Sequence, residues 1–147
     1  MQASEGKLGR VFVLRLDDGD VIPECIEGFA ADRDIRLAQV VLLGGLGSGD
    51  VVSGPRTSQM PPRAMLLPVD GVHEVLGAGL LAPDESGKPI LHIHGALGRA
   101  GTTLTGCLRE GVQTWFMVEA VVTEIVDDHT RRMPDAASDL SLLSFDV

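Results

Sequence analysis

Hydrophobic and polar residues alternate along most of this chain, a pattern typical of β-strands that bury one face. The alternation predicts a first strand over residues 11–16, and a continuous apolar run predicts a buried strand over 37–43. Further strands are predicted over residues 51–53, 65–69, 74–81, 89–98, 102–108, 112–126 and 140–145.

One segment, residues 21–34, has the spacing of an amphipathic helix instead. Its apolar positions recur at i, i+3, i+4, i+7 and i+8, and they are Ile22, Cys25, Ile26, Phe29 and Ala30. Asp20 is predicted to cap this helix, and Pro23 is compatible with its first turn. One helix among eight or nine short strands predicts an α+β fold whose sheet is mostly antiparallel.

The glycine-rich segment over residues 44–50 resembles a phosphate-binding loop only superficially. It lacks the Gly-Lys-Ser/Thr ending of such a loop, and no helix is predicted after it. A turn or a bulge between strands is therefore expected.

The chain is expected to form a single domain over residues 1–147, with a core at about 9–126 and a C-terminal extension over 127–147. The extension contains Arg131 and Arg132 among several acids and is expected to be peripheral.

Charge and composition exclude some functions and favour a compartment. A net charge of −9 and an aromatic content of 3% argue against direct DNA binding, which uses a basic patch. The two cysteines lie far apart in sequence, so no disulfide framework is indicated. The chain's first residues lack the apolar core of a signal peptide, and no run approaches the roughly 18–20 apolar residues of a membrane span. We therefore expect a soluble, cytoplasmic protein.

The most informative chemistry lies at His92 and His94, two residues apart inside an apolar segment. Side chains alternate between the two faces of a strand, so these imidazoles point to one side while Leu91 and Ile93 point to the other. At a backbone separation of roughly 6–7 Å the imidazoles can share one metal ion. The alternative is a pair of half-buried histidines bonded to the backbone. The apolar flanks weaken this alternative, because burying two imidazoles without strong partners is costly.

A zinc-like site needs a third ligand, and the sequence leaves the choice open. Cys107 lies on the next predicted strand and can reach the histidines if that strand pairs in the right register. His73 opens the preceding strand and is the other candidate. Glu119, on the last long strand, is a possible ligand, an acceptor that orients an imidazole, or a catalytic base. Cys107 and Cys25 also fit as core residues, and His129 is most simply solvated.

These features together resemble the PPC (plants and prokaryotes conserved) domain, also called domain of unknown function 296. The resemblance covers roughly residues 9–126. The segments that carry it are Leu14-Arg15-Leu16, Gly19-Asp20, residues 42–49, Glu74-Val75-Leu76-Gly77, His92-Ile93-His94-Gly95-Ala96-Leu97-Gly98, Thr105-Gly106-Cys107-Leu108 and Val118-Glu119-Ala120-Val121-Val122.

The resemblance implies an antiparallel, partly rolled sheet packed against one main α-helix. It also implies a homotrimer with pockets near the subunit boundaries, and, as in some prokaryotic relatives, a metal ion held by the His-x-His strand. Family members often carry a DNA-binding label. In the plant proteins DNA is contacted by a separate basic AT-hook, which this sequence lacks.

One departure from the family pattern bears on the metal site. Where the family has a Gly-Gly-His motif, this chain reads Thr105-Gly106-Cys107. Either Cys107 is a thiolate ligand, which favours zinc, or His73 compensates for a lost ligand, or no metal is bound.

The leading hypothesis is a cytoplasmic, trimeric domain holding zinc at His92, His94 and either Cys107 or His73, with an open position for a small anionic or polar ligand or for a water. Whether it is an enzyme is left open; metal-assisted hydrolysis or lyase chemistry with Glu119 as base is the class to test. The rival hypothesis is a non-enzymatic assembly or regulatory module that binds a protein partner.

Overall fold

The computed structural model describes residues 1–109 and 111–145. Within them the chain forms ten strands and one helix: β1 (Lys7–Asp17), α1 (Ile22–Asp32), β2 (Leu37–Ser48), β3 (Asp50–Pro55), β4 (Ala64–Pro68), β5 (His73–Pro83), β6 (Pro89–Arg99), β7 (Thr102–Leu108), β8 (Gln113–Val126), β9 (Arg131–Asp135) and β10 (Leu140–Ser144).

Eight strands form one sheet in the order β1-β8-β2-β5-β6-β7-β3-β4, and every neighbouring pair is antiparallel. The predicted mostly antiparallel sheet with one helix is therefore confirmed. The strand order is open, with β1 and β4 at its edges, and the partial rolling of the sheet stays a prediction. β9 and β10 form a separate two-stranded hairpin.

Helix α1 covers one face of the sheet and closes the core. Its stripe residues Ile22, Ile26 and Ala30 are buried, and Cys25 and Phe29 pack against the same core from partly buried positions. The predicted cap is wrong: the helix begins after Val21 without a side-chain cap. The Asp20 carboxylate instead accepts the Asp17 backbone N–H at 2.9 Å, so it stabilises the preceding turn.

The glycine-rich segment continues β2 instead of forming a phosphate loop. The pairing of β2 with β8 shifts register between Gly44 and Leu46 and again between Leu46 and Ser48, as expected for bulges. The chain then turns at Gly49, whose φ of 121° lies in a region that favours glycine.

The C-terminal extension is more structured than its sequence indicates. The predicted last strand is present as β10, but β9 was not predicted, because Arg131–Asp135 shows no apolar alternation. The turn between them is held by Asp135, whose carboxylate accepts both the backbone N–H and the hydroxyl of Ser138. Residues 127–145 therefore fold back beside the main sheet.

The sheet face opposite α1 carries apolar side chains that are 38–78% exposed. We call this surface the open face, and its members are Val11, Val13, Val41, Leu43, Leu76 and Val121. One row of paired residues crosses all eight strands of the sheet and consists of Val13, Val121, Val41, Ala78, His94, Cys107, Val52 and Leu66.

In the part of the chain that the structure describes, we find no helix with the length and apolar character needed to cross a membrane.

Candidate metal centre

The two histidines of β6 project from the face opposite the helix, as the alternation predicts. Leu91 and Ile93 are buried in the core, at 7% and 0% exposure, while His92 and His94 are exposed. The Nε2 atoms of the two imidazoles lie 3.1 Å apart. The core-facing residues thus hold the strand in place while the two ring nitrogens converge on one point outside it.

Strand pairing places Cys107 beside the histidines. Cys107 of β7 is the direct partner of His94, so the thiol shares the face of the imidazoles. Gly106 lets β3 approach β7 on its other side, because a Cβ at that position would overlap the carbonyl oxygen of Val52. Cys107 is 5% exposed, and its thiol lies 3.7 Å from the Leu108 carbonyl oxygen, a long and weak contact.

The three side chains fit a metal ion. One ligand atom from each of His92, His94 and Cys107 lies within 4.8 Å of the other two. Around a tetrahedral zinc, with Zn–N of about 2.0–2.1 Å and Zn–S of about 2.3 Å, these atoms would be about 3.3–3.6 Å apart. The two nitrogens are already near this separation, so only a small side-chain movement would complete the set. Two imidazoles and one thiolate are the donors that zinc prefers, and three protein ligands leave one position open.

The surroundings favour the metal-binding form of His92. Although His92 is exposed, its ring is partly desolvated by the surrounding side chains, which lowers the pKa of the imidazole, and the charges of Arg132, His94 and Arg109 lower it further. The neutral ring, which is the form that binds a metal, therefore dominates at neutral pH.

The Cys107 thiol is held in its protonated form. Burial raises the pKa of this thiol, although Arg109 and Arg132 act in the opposite direction. A metal ion would have to displace the thiol proton to bind sulfur.

The structure does not bring His73 or Glu119 to this cluster. His73 lies five residues along β5 from Ala78, the partner of His94, which corresponds to about 17 Å. Its Nδ1–H donates to the Gly71 carbonyl oxygen at 2.8 Å. Glu119 is on β8, separated from β6 by two strands and therefore by about 14 Å. His129 is exposed beyond the end of β8.

Two arginines near the cluster were missed as site residues. Arg132 comes from β9 and is 6% exposed, and Arg109 follows β7 directly. The sequence shows Arg132 only as part of a charged tail. The turn-forming Asp135 and Ser138 were the available signal that this tail returns as a hairpin.

The sequence also matches a known protein family. The sequence model of the Plants and Prokaryotes Conserved (PCC) domain matches residues 3–126. This chain belongs to that family, the PPC domain. Comparison with curated proteins gives no significant match.

Solved structures of other proteins share the PPC fold. A metal-containing protein from Archaeoglobus fulgidus is 26% identical, with a TM-score of 0.86 over 98% of this chain and 99% of the other. A plant- and prokaryote-conserved protein from Pyrococcus horikoshii is 21% identical, with a TM-score of 0.84 over the whole of both chains. A candidate DNA-binding protein from Bacteroides thetaiotaomicron is 17% identical, with a TM-score of 0.78 over 95% and 97% of the two chains.

Proposed function

We propose that this PPC domain binds one divalent metal ion, zinc by preference, through His92, His94 and Cys107. The observation that carries the proposal is the convergence of these three ligand atoms within 4.8 Å on one face of two paired strands. The metal-containing relative from Archaeoglobus fulgidus, 26% identical to this chain, supports it. The thiolate favours zinc over magnesium, calcium or manganese, which prefer oxygen ligands.

The open coordination position gives the site its function. Three protein ligands leave room for a water or a ligand atom, and zinc supplies Lewis acidity to whatever binds there. The Cys107 thiolate and the two neutral imidazoles hold the ion. Glu119 lies too far away to take a proton from a water or ligand at this position. Binding of a ligand to the metal is therefore better supported than catalysis with Glu119 as base.

The proposal is tested by elemental analysis of protein purified without a histidine tag and offered zinc before excess metal is removed. We expect about one zinc per chain in the wild type and a loss of nearly all of it in His92→Ala/His94→Ala. His129→Ala is the matched control, because it removes an exposed histidine outside the cluster and should retain full zinc content. Wild-type protein that stays metal-free would overturn the proposal.

We further propose that the chain forms a homotrimer through its open face, as the family resemblance implies. Six apolar side chains on one sheet face are 38–78% exposed, and exposed apolar patches often mark interaction surfaces. The same row of paired residues contains Val13, Val41 and Val121 of the open face and the proposed ligands His94 and Cys107, so the metal centre would adjoin the interface.

Light scattering tests the assembly. The wild type should have three times the chain mass of 15.5 kDa. Leu76→Glu should reduce the mass towards that of one chain, because it places a charge in the apolar interface. Met60→Glu, a change at an equally exposed residue outside the open face, should leave the mass unchanged. A monomeric wild type would contradict the homotrimer.

Direct DNA binding is not part of the proposed function. The net charge of −9 repels phosphates, and the DNA-binding description belongs to relatives that are only 17% and 20% identical.

A further inference from the structure

A cavity of about 510 Å³ opens beside the metal centre and reaches the C-terminal hairpin. Its wall includes His92, Arg109 and Arg132 together with the apolar side chains of Ile90, Leu140 and Leu142. A volume of this size suits a small organic molecule. The cavity therefore combines cationic groups beside a proposed metal ligand with apolar side chains.

Arg132 is a buried cation with donors to spare. It is 6% exposed, and its Nη2 donates to the Leu80 carbonyl oxygen at 3.0 Å. Its Nε has no hydrogen-bond partner among the described residues. A buried guanidinium without a carboxylate partner is costly, since buried charges are normally paired. The Nε itself is enclosed, but Arg132 lines the cavity, and its guanidinium has N–H groups beyond the one bonded to Leu80 that can donate to an acceptor bound there.

The charges around the cavity point to the same ligand class. Zinc with one thiolate and two neutral imidazoles carries a net charge of +1, to which Arg109 and Arg132 add two positive charges. Asp139 is the one acidic residue among the described residues that line the cavity.

We propose that this cavity binds a small carboxylate with an apolar tail, whose carboxylate lies between the metal and Arg132. The assignment rests on the proposed metal site for one of its two contacts, while the arginines and the apolar wall are independent of the metal. A guanidinium fork matches the two oxygens of a carboxylate. The leucines of β10 would cover the tail, which gives the hairpin outside residues 3–126 a function.

Calorimetric titration of the zinc-loaded protein with hexanoate tests the proposal. We expect one hexanoate per chain, with a dissociation constant of about 1 mM or lower. Hexanamide, which has the same length without the charge, should bind at least about tenfold more weakly. Acetate and inorganic phosphate should also bind more weakly, because neither uses the apolar wall.

Two arginine variants locate the site. Arg132→Gln should weaken hexanoate binding by about tenfold or more, and Arg109→Gln, an exposed position that tolerates substitution, should weaken it as well. Arg56→Gln removes an exposed arginine of the β3–β4 loop and is the matched control, with binding unchanged. Zinc content is measured on every sample.

The outcomes separate the two proposals. Full zinc content with no hexanoate binding would overturn the carboxylate site and leave the metal site intact. If phosphate bound as tightly as hexanoate, the proposed contribution of an apolar tail to binding would be overturned. Binding that survives both arginine variants would overturn the role of the arginines. A protein without zinc that still binds hexanoate through Arg132 would contradict the metal site alone.

Discussion

At the scale of single residues, burial acts in opposite directions on the metal-binding forms of His92 and Cys107. His92 is held neutral by burial and by neighbouring positive charges, which lower its pKa. Burial has the opposite consequence for the Cys107 thiol, whose pKa it raises. The zinc affinity of this centre should therefore depend on pH mainly because the Cys107 thiol must lose its proton to bind the metal.

This linkage predicts a measurable proton release. Zinc binding to the wild type at neutral pH should release about one proton per chain more than zinc binding to Cys107→Ser, because a serine hydroxyl keeps its proton. Titrations in two buffers with different ionisation enthalpies give the proton count. Cys25→Ser is the control, since that thiol lies outside the cluster and should leave the proton count of the wild type unchanged. Equal proton release by wild type and Cys107→Ser would exclude the thiol as a ligand.

At the scale of elements, antiparallel pairing positions both the site and the ion pair that ties the edge strand to the sheet. Arg10 of β1 donates from Nε and Nη2 to the two carboxylate oxygens of Glu124 on β8, each at 2.7 Å. The Arg10 backbone N–H donates to the same carboxylate at 3.0 Å. These bonds, led by the Arg10 side chain, lower the pKa of Glu124 below its ordinary value of 4.5.

A lowered carboxylate pKa makes a definite prediction for acid stability. The folded state favours the charged form of Glu124, so the bonds stabilise the protein above pH 4.5 and are lost as the pH falls through the folded-state pKa. Glu124→Gln should therefore lower the free energy of unfolding at pH 7, and the difference from wild type should shrink below pH 4.5. Urea unfolding across this range measures it. Asp127→Asn, which breaks the exposed pair with Lys7, should change stability little.

Elements with strong apolar alternation were predictable from the sequence, and those held by distant contacts were not. The strand β7 was predicted with its observed bounds, Thr102–Leu108, and β6 differed by one residue. The strand β9 was missed, because its five residues have no apolar period of their own.

The choice between Cys107 and His73 depended on strand register, which periodicity along one strand cannot determine. Arg132 was missed for the same reason as β9.

At the scale of the whole molecule, metal binding at the proposed centre would be coupled to folding. The two histidines of the centre are on β6 and Cys107 is on β7, so the three ligand atoms lie together only while these strands are paired. A metal ion bound by the folded state alone must therefore stabilise the whole sheet.

This coupling predicts the effect of metal removal on stability. Zinc at about 100 times its dissociation constant should raise the free energy of unfolding by about 2.7 kcal/mol, and a chelator should remove that gain. Thermal unfolding with and without zinc measures the change. His92→Ala/His94→Ala should show no zinc-dependent gain, while His129→Ala should behave as the wild type. Equal stabilisation of both variants would mean that zinc binds elsewhere.

In the proposed centre, two imidazoles and one thiolate of this chain hold the same zinc ion. X-ray absorption at the zinc edge measures the donors directly on zinc-loaded protein. We predict one sulfur at about 2.3 Å and two imidazole nitrogens at about 2.0–2.1 Å, with a further light-atom ligand at the open position. The sulfur contribution should disappear in Cys107→Ser. A wild-type spectrum without sulfur, or with fewer than two imidazoles, would contradict the proposed centre.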